Sequence, residues 1–319
     1  MTISSYWRIK RVRSRFAYEK GTMGKPKLTT ADYDPAVLTA FNDFVHGGID
    51  RRAFLKRVIA VTASAAAAST IIESLLPNYA QAMDVSPDDP SINTEYLIYP
   101  SPDNWQGYVV SPSAEGKHPA VLVIHENRGR NPYVEDVARR LAKAGFLALS
   151  PDALTSFGGW TSDDEGRTQQ RTLDGEAMMT NWIAGINYLK THPKSTDAVG
   201  AVGFCYGGGV VNTLATRLPD LKAGVPYYGR QASLADVPKI KSALCIQNGE
   251  LDTWVMKGAA PYNAALQAAG VELESYVYPG AQHGFHNNST PRFDEASANL
   301  SWQRTIAFFN KHLRDNEPS

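Results

Sequence analysis

The chain has 319 residues, of which 43% are apolar and 20% charged, as expected for a globular protein with a sizeable core. It has only two cysteines, which excludes a disulfide framework. Residues 1–82 carry 12 Lys and Arg against 6 Asp and Glu, which leaves 20 against 26 for an acidic remainder and argues against a nucleic-acid partner.

Residues 51–82 have the order of an export signal. Arg51 and Arg52 precede Phe-Leu-Lys, residues 58–72 are uncharged and rich in alanine, and 80–82 read Ala-Gln-Ala. The paired arginines resemble a twin-arginine signal, and 15 uncharged residues are fewer than the roughly 20 that span a membrane. We therefore expect export to the periplasm, with the membrane touched only in transit. The alternative is an amphipathic helix packed on the domain of a cytoplasmic protein.

Residues 1–50 are then an N-terminal extension, in which Met23 is an alternative start, and residues 83–93 form a polar, Pro-rich linker. From residue 94 to 319 the pattern predicts one domain. Two β-rich runs at 94–100 and 105–112 predict a hairpin, and alternating strands and helices follow. Strands are predicted at 120–125, 146–152, 198–204, 223–229, 242–249 and 274–280, and helices at 132–145, 171–192, 207–218, 257–270 and 297–313, with a loop at 153–166. This alternation indicates an α/β fold with a mostly parallel sheet covered by helices on both faces.

The run "VGAVGFCYGGG" predicts a nucleophile elbow at Cys205. A strand ends at Phe204, a helix follows, and the glycines at 203 and 207 stand two positions from the cysteine. The turn needs small neighbours because the strand and helix backbones approach closely, and the helix N-terminus favours a thiolate. The alternative is a buried structural cysteine beside a tight turn.

A nucleophile needs a base, and the base needs an orienting acid, in the chain order nucleophile, acid, histidine. Asp252 follows the predicted strand at 242–249, and His283 lies in a loop after the next strand. Glu250 is the alternative acid and His286 the alternative base, while His125 could line the pocket and His118 and His192 suit structural roles. Cys245 lies within an apolar strand and is interpreted as an inert core residue. No HExxH or paired-Cys spacing predicts a metal, and no cofactor is expected.

With this order the chain resembles the dienelactone hydrolase (carboxymethylenebutenolidase) family, on Cys205, Asp252 and His283 together with Glu126, Asn127 and Asn131 in "VLVIHENRGRNPYVEDVARRL". The resemblance covers most of 94–315 and implies an α/β-hydrolase fold. It implies that Cys205 attacks an ester or lactone carbonyl while His283 moves the proton and Asp252 holds its tautomer. It further implies that Glu126 bonds the resting thiol; the alternative is that Glu126 is a surface carboxylate paired with Arg128 or Arg130. The resemblance also implies that the backbone N–H groups of Asn127 and Tyr206 form the oxyanion hole.

The chain departs from the family where carboxylate-binding arginines are expected, because Ser156 and Asn287 stand near those positions. Arg128, Arg130 and Arg292 could compensate, although none matches the motif. The predicted function is hydrolysis of a small ester or lactone; a non-catalytic binding protein on the same scaffold and a cysteine amidase or peptidase are the alternatives. Aromatic residues are expected to line the pocket, namely Phe157, Trp160, Tyr228, Trp254 and Phe285.

Overall fold

A computed structural model describes residues 28–314 of the chain. Its centre is a single sheet of eight strands in the order β1-β2-β4-β3-β5-β6-β7-β8. β1 and β2 form the expected hairpin, β2 pairs antiparallel with β4, and the other pairs are parallel. The strands are β1 (Ile92–Ile98), β2 (Gln106–Pro112), β3 (His118–Ile124), β4 (Leu147–Pro151), β5 (Ser195–Phe204), β6 (Ala223–Tyr227), β7 (Ala243–Gly249) and β8 (Leu273–Tyr278).

Helices cover both faces of this sheet, which confirms the predicted fold class. One core forms between the sheet and the helices α4 and α9, and another between the sheet and α6, α7 and α8. The inner strands β3, β4 and β6 are buried and mostly apolar because helices cover both of their faces, whereas the edge strands β1 and β8 are partly exposed. The helices are α1 (Pro35–Val45), α2 (Arg51–Thr62), α3 (Ala65–Leu75), α4 (Pro132–Lys143), α5 (Asp163–Gln170), α6 (Gly175–Thr191), α7 (Tyr206–Arg217), α8 (Thr253–Ala268) and α9 (Glu295–Leu313).

The first three helices form a small core of their own, which includes Phe41, Phe54 and Val58. We call residues 28–82 the N-terminal segment. The alanine-rich run within it is two helices, because Ala63 adopts the left-handed conformation with φ 53° and ends α2. Among residues 28–314 no one helix could span a membrane, although α2 and α3, bent by 117°, meet the criteria of length and composition as a pair.

The N-terminal segment packs on the rest of the described chain, and several of its contacts are polar. The Arg51 guanidinium lies 2.9 Å from the Asp164 carboxylate, and Tyr79 donates to Asp163 over 2.7 Å. Asn127 donates its side-chain N–H to the Val45 carbonyl over 2.7 Å, so the end of α1 lies beside the loop after β3. Residues 1–27, which hold the basic lead and Met23, are outside the described residues.

One predicted loop is shorter than expected. Residues 153–166 contain a 3-10 turn at Thr155–Phe157, and their last four residues begin α5. α5 was missed because its residues are almost all polar and show no apolar periodicity. Ser162 caps this helix by accepting from the Glu165 N–H, and Asp163, Asp164 and Glu165 favour its first turn.

Candidate active site

The turn between β5 and α7 places Cys205 at the end of the strand and the start of the helix. Cys205 has φ 54° and ψ −110°, an unusual conformation for a residue with a Cβ. A Cβ on Gly203 would lie 2.2 Å from the Gly207 carbonyl oxygen, and one on Gly207 would lie 2.3 Å from the Ile124 carbonyl oxygen. Both positions therefore require glycine, and the geometry is that of the predicted elbow.

The predicted acid and base are in contact. The Nδ1–H of His283 donates to Oδ2 of Asp252 over 2.6 Å. Oδ1 of the same carboxylate accepts from the Val255 N–H over 3.3 Å and caps α8. Glu250, the alternative acid, accepts instead from the exposed backbone of Gly280. Asp252 is thus the carboxylate that orients His283.

A second histidine, His46 at the end of α1, lies in the same site. Its Nε2 is 3.2 Å from Nε2 of His283, and its ring stacks on Trp254 with centroids 5.2 Å apart. His46 was not among the residues predicted for the site, because it is 237 residues from His283 and belongs to a segment interpreted as an extension. Its only local signal is the Gly-Gly pair that follows it, which is typical of any helix end.

Charge in the site favours a cysteine thiolate. Burial alone would raise the pKa of Cys205, but the neighbouring His283 and His46, which bond its sulfur, lower it to about 6. Burial opposes a charged His283, yet Asp252 and Cys205 raise its pKa to about 10. Between these two values the stable pair is thiolate and imidazolium, the form in which a cysteine is nucleophilic.

Glu126 does not bond the thiol, contrary to what the resemblance implies. It is buried and bonds Arg128, which also binds Asp163 over 2.9 Å, and it accepts from Asn287 over 3.2 Å. Burial raises the pKa of Glu126, but Arg128 outweighs that effect and keeps it lowered. The alternative interpretation, an ion pair with Arg128, is the one observed, although inside the protein and not on its surface.

The two expected oxyanion donors lie in the turn after β5 and in the loop after β3. Tyr206 is the first residue of α7, whose N–H has no acceptor within the helix. Asn127 follows Glu126 in the loop after β3, and its side chain is held by the N-terminal segment. Both remain predicted donors to an oxyanion.

The remaining histidines of the loops have structural partners. His125 Nδ1 bonds the Glu126 carbonyl over 2.5 Å, and its Nε2 accepts from the Ala153 N–H over 3.2 Å. His286 is buried and its Nδ1 lies 2.7 Å from the Tyr133 hydroxyl. Neither approaches Cys205 in the manner of His283.

The predicted pocket residues separate into two groups. Tyr228 lies against His283 with ring centroids 4.9 Å apart, and Trp254 lies against His46. Phe285 is fully buried, and its ring packs against those of Tyr228 and Tyr278. Phe157 is exposed at the surface, and Trp160 packs on Tyr79.

One cluster has donors suited to a metal ion. The sulfur of Cys205 and one ring nitrogen each of His46 and His283 lie within 4.8 Å of one another. No sequence spacing predicted this cluster, because its members come from three distant parts of the chain.

Comparison with known proteins agrees with this geometry. The model of the "Dienelactone hydrolase family" matches residues 105–313, and a second model, "YqhI-like", matches residues 25–62. A "Putative carboxymethylenebutenolidase" of Synechocystis is 30% identical over 227 residues, 65% of this chain and 92% of its own. The "Putative hydrolase fragment YghX" of Escherichia coli is 53% identical over 112 residues, 34% of this chain and 96% of the fragment.

Solved structures show the same fold. The crystal structure of a "Putative Dienelactone Hydrolase" from Klebsiella pneumoniae superposes with a TM-score of 0.64 at 24% identity, covering 69% of this chain and 99% of that one. The family model covers well over half of the 319 residues. The chain therefore belongs to the dienelactone hydrolase family of hydrolases.

Proposed function

We propose that the protein hydrolyses a small ester or lactone through a covalent acyl–cysteine intermediate on Cys205. The observation that carries this proposal is the continuous contact from Asp252 through His283 to a cysteine on a strained strand-to-helix turn. This is the arrangement of nucleophile, base and orienting acid that acyl transfer requires. The lactonase and carboxymethylenebutenolidase names of relatives support the substrate class.

The reaction has two steps, acylation of Cys205 and hydrolysis of the acyl-enzyme. The Cys205 thiolate attacks the carbonyl carbon, and the carbonyl electron pair moves to oxygen, which the N–H groups of Tyr206 and Asn127 stabilise. Collapse breaks the carbon–oxygen bond, and the alkoxide takes the proton of His283. Neutral His283 then removes a proton from water, the hydroxide attacks the thioester, and the thiolate leaves with the carboxylic acid as product. A lactone follows the same steps, with its alcohol still joined to the acid.

Arg292 supports a substrate that carries a carboxylate. Arg292 is 5% exposed, and its Nε and Nη1 have no hydrogen-bond partner within the described part of the chain. It lies against Gly284, next to His283, where an added Cβ would be 3.2 Å from Nη2. Unpaired guanidinium N–H groups this deeply buried are suited to a bidentate carboxylate. Arg128 and Arg130 are each held by buried acidic partners and do not offer this.

The proposal is tested by pre-steady-state kinetics with a p-nitrophenyl ester of a short acid. The wild type is expected to release about one equivalent of nitrophenol in a burst and then turn over. Cys205→Ala should show neither phase, while Cys245→Ala, which alters the buried second cysteine, should retain the burst. An acyl adduct on the peptide containing Cys205 should be visible by mass spectrometry after an acid quench.

A wild type with no burst and no turnover on any short ester or lactone would contradict the proposal and favour the binding-protein alternative. Matched ester and amide substrates test the amidase alternative. We expect the ester to react faster, since an amine leaving group demands more complete protonation by His283.

A further inference from the structure

We propose that His46, carried by the N-terminal segment, is a catalytic residue that shares one proton with His283 and holds Cys205 as a thiolate at rest. The proposal rests on the proposed function, in which Cys205 is the nucleophile. It makes the N-terminal segment part of the active site and adds a second imidazole to the Cys-Asp-His set.

The hydrogen bonds of the two rings determine where their protons lie. Nδ1 of His46 is 2.8 Å from the Asn42 carbonyl oxygen, which can only accept, so this nitrogen carries a proton. Nδ1 of His283 likewise donates to Asp252. If both rings were neutral, their bare Nε2 atoms would face each other across 3.2 Å with no hydrogen between them.

One extra proton therefore belongs between the two rings, and the thiol of Cys205 is the group placed to supply it. The sulfur and one ring nitrogen of each histidine lie within 4.8 Å of one another, so the proton shared by the two rings is also close to the sulfur. Transfer of the thiol proton gives a thiolate beside one shared imidazolium proton, with no change in total charge. During acyl transfer that proton goes to the leaving alkoxide, and His46 keeps it within reach of the reacting atoms.

His46 is fixed in position by its surroundings. Its ring stacks on Trp254 and meets the edge of His283 with centroids 4.2 Å apart. The preceding residue, Val45, is buried and its carbonyl accepts from Asn127, one of the predicted oxyanion donors. The segment thus contacts the base, the nucleophile and the oxyanion loop at once.

The two histidines take the role expected of Glu126 as partner of the thiol, because the Glu126 carboxylate is bound to Arg128 and Asn287. The resting partner of the thiol is then a cation and not a carboxylate, so the nucleophile is charged before substrate arrives. The other titratable or charged groups that act on this cluster are Asp252, Tyr228, Arg292 and Glu126.

The test measures the thiol directly in full-length protein. The rate at which iodoacetamide alkylates Cys205 is followed against pH by mass spectrometry of its peptide. Cys245 is fully buried, and burial raises its pKa to about 12, so we expect that iodoacetamide does not alkylate it. The wild type is expected to titrate with a midpoint near 6. In His46→Ala the midpoint should rise by about one unit or more, because one of two imidazoles has been removed.

Ester hydrolysis supplies the second measurement. His46→Ala should lose about tenfold to a hundredfold in kcat with little change in KM, and added imidazole should restore part of it. His46→Gln fills the site but cannot hold a proton, so it should show the same shift if the alanine variant folds poorly. Arg51→Ala, which removes an exposed contact of the same segment, is the matched control and should behave as wild type.

An unchanged thiol midpoint in both His46 variants would overturn the inference. A His46 variant more active than wild type would also overturn it, because the N-terminal segment would then block the active site. Loss of activity with EDTA and recovery with Zn²⁺ would also overturn it and assign the cluster to a metal. Because alkylation needs no substrate, a shifted midpoint in an enzyme that hydrolyses nothing would contradict only the proposed function.

Discussion

The charges of two buried arginines both favour ionised Glu126, and the two arginines differ in what they bind. Arg128 bonds both Glu126 and Asp163, while Arg292 leaves Nε and Nη1 unbonded within residues 28–314 and packs over the Phe41 ring. A buried cation without hydrogen-bond partners is costly unless a ligand provides them. We therefore propose that Arg292 binds a carboxylate of the substrate.

Replacing Arg292 by methionine should raise KM for a carboxylate-bearing ester by about tenfold or more, the range for a hydrogen bond to a charged group. The kcat/KM for a neutral ester of similar size should change little. Steady-state kinetics on the matched pair, with the exposed Arg217→Met as control, checks this. Equal effects on both esters would show that Arg292 has only a structural role.

At the scale of elements, the tight junction between β5 and α7 governs the site. The backbone of Gly207 lies so close to the end of β3 that no side chain fits between them. The same proximity puts the first N–H groups of α7 near the cysteine and strains Cys205 into a positive φ. Packing of strand against helix thus places Cys205 on the turn, with the N–H of Tyr206, a predicted oxyanion donor, next to it.

Gly207→Ala should lower the free energy of unfolding by roughly 2 kcal/mol, since the added methyl meets backbone that cannot move aside easily. It should also reduce ester hydrolysis at least tenfold, because the turn must open to admit it. Urea unfolding and steady-state kinetics measure the two effects. Gly175→Ala, where a Cβ meets nothing within 4 Å, is the control and should be as stable as wild type. Equal stability of both variants would contradict the argument.

At the scale of the whole molecule, patterns within the chain predicted the sheet and the elbow because apolar runs and glycine spacing are local signals. Cys205, Asp252 and His283 each follow a predicted strand. They could be expected to meet because the carboxyl ends of parallel strands lie at one edge of the sheet. His46 could not be predicted, since its role arises from a contact across 237 residues. The pairing of Glu126 with Arg128 was predicted only as an alternative, since the sequence does not show which partner a buried carboxylate selects.

The export signal proposed for residues 51–82 stays a prediction. It is compatible with a catalytic His46 only if the chain is not cut after Ala82, because such a cut removes α1 to α3 and their contacts with Asn127 and Asp164. We expect intact-mass measurement of the purified active protein to give an N-terminus before His46. A fully active species beginning at Met83 would contradict the role of the segment.

The carboxylate of Asp252 constrains how this protein can evolve. One oxygen begins α8 and the other holds His283, so a single side chain serves both local folding and chemistry. A variant with no hydrogen-bond acceptor at this position loses the cap of α8 and the orientation of His283 together. The nearby Glu250, which only accepts from an exposed backbone N–H, is free to change. Asn, Ser or Thr could also cap α8, so the bond to His283 is what requires an acid at this position.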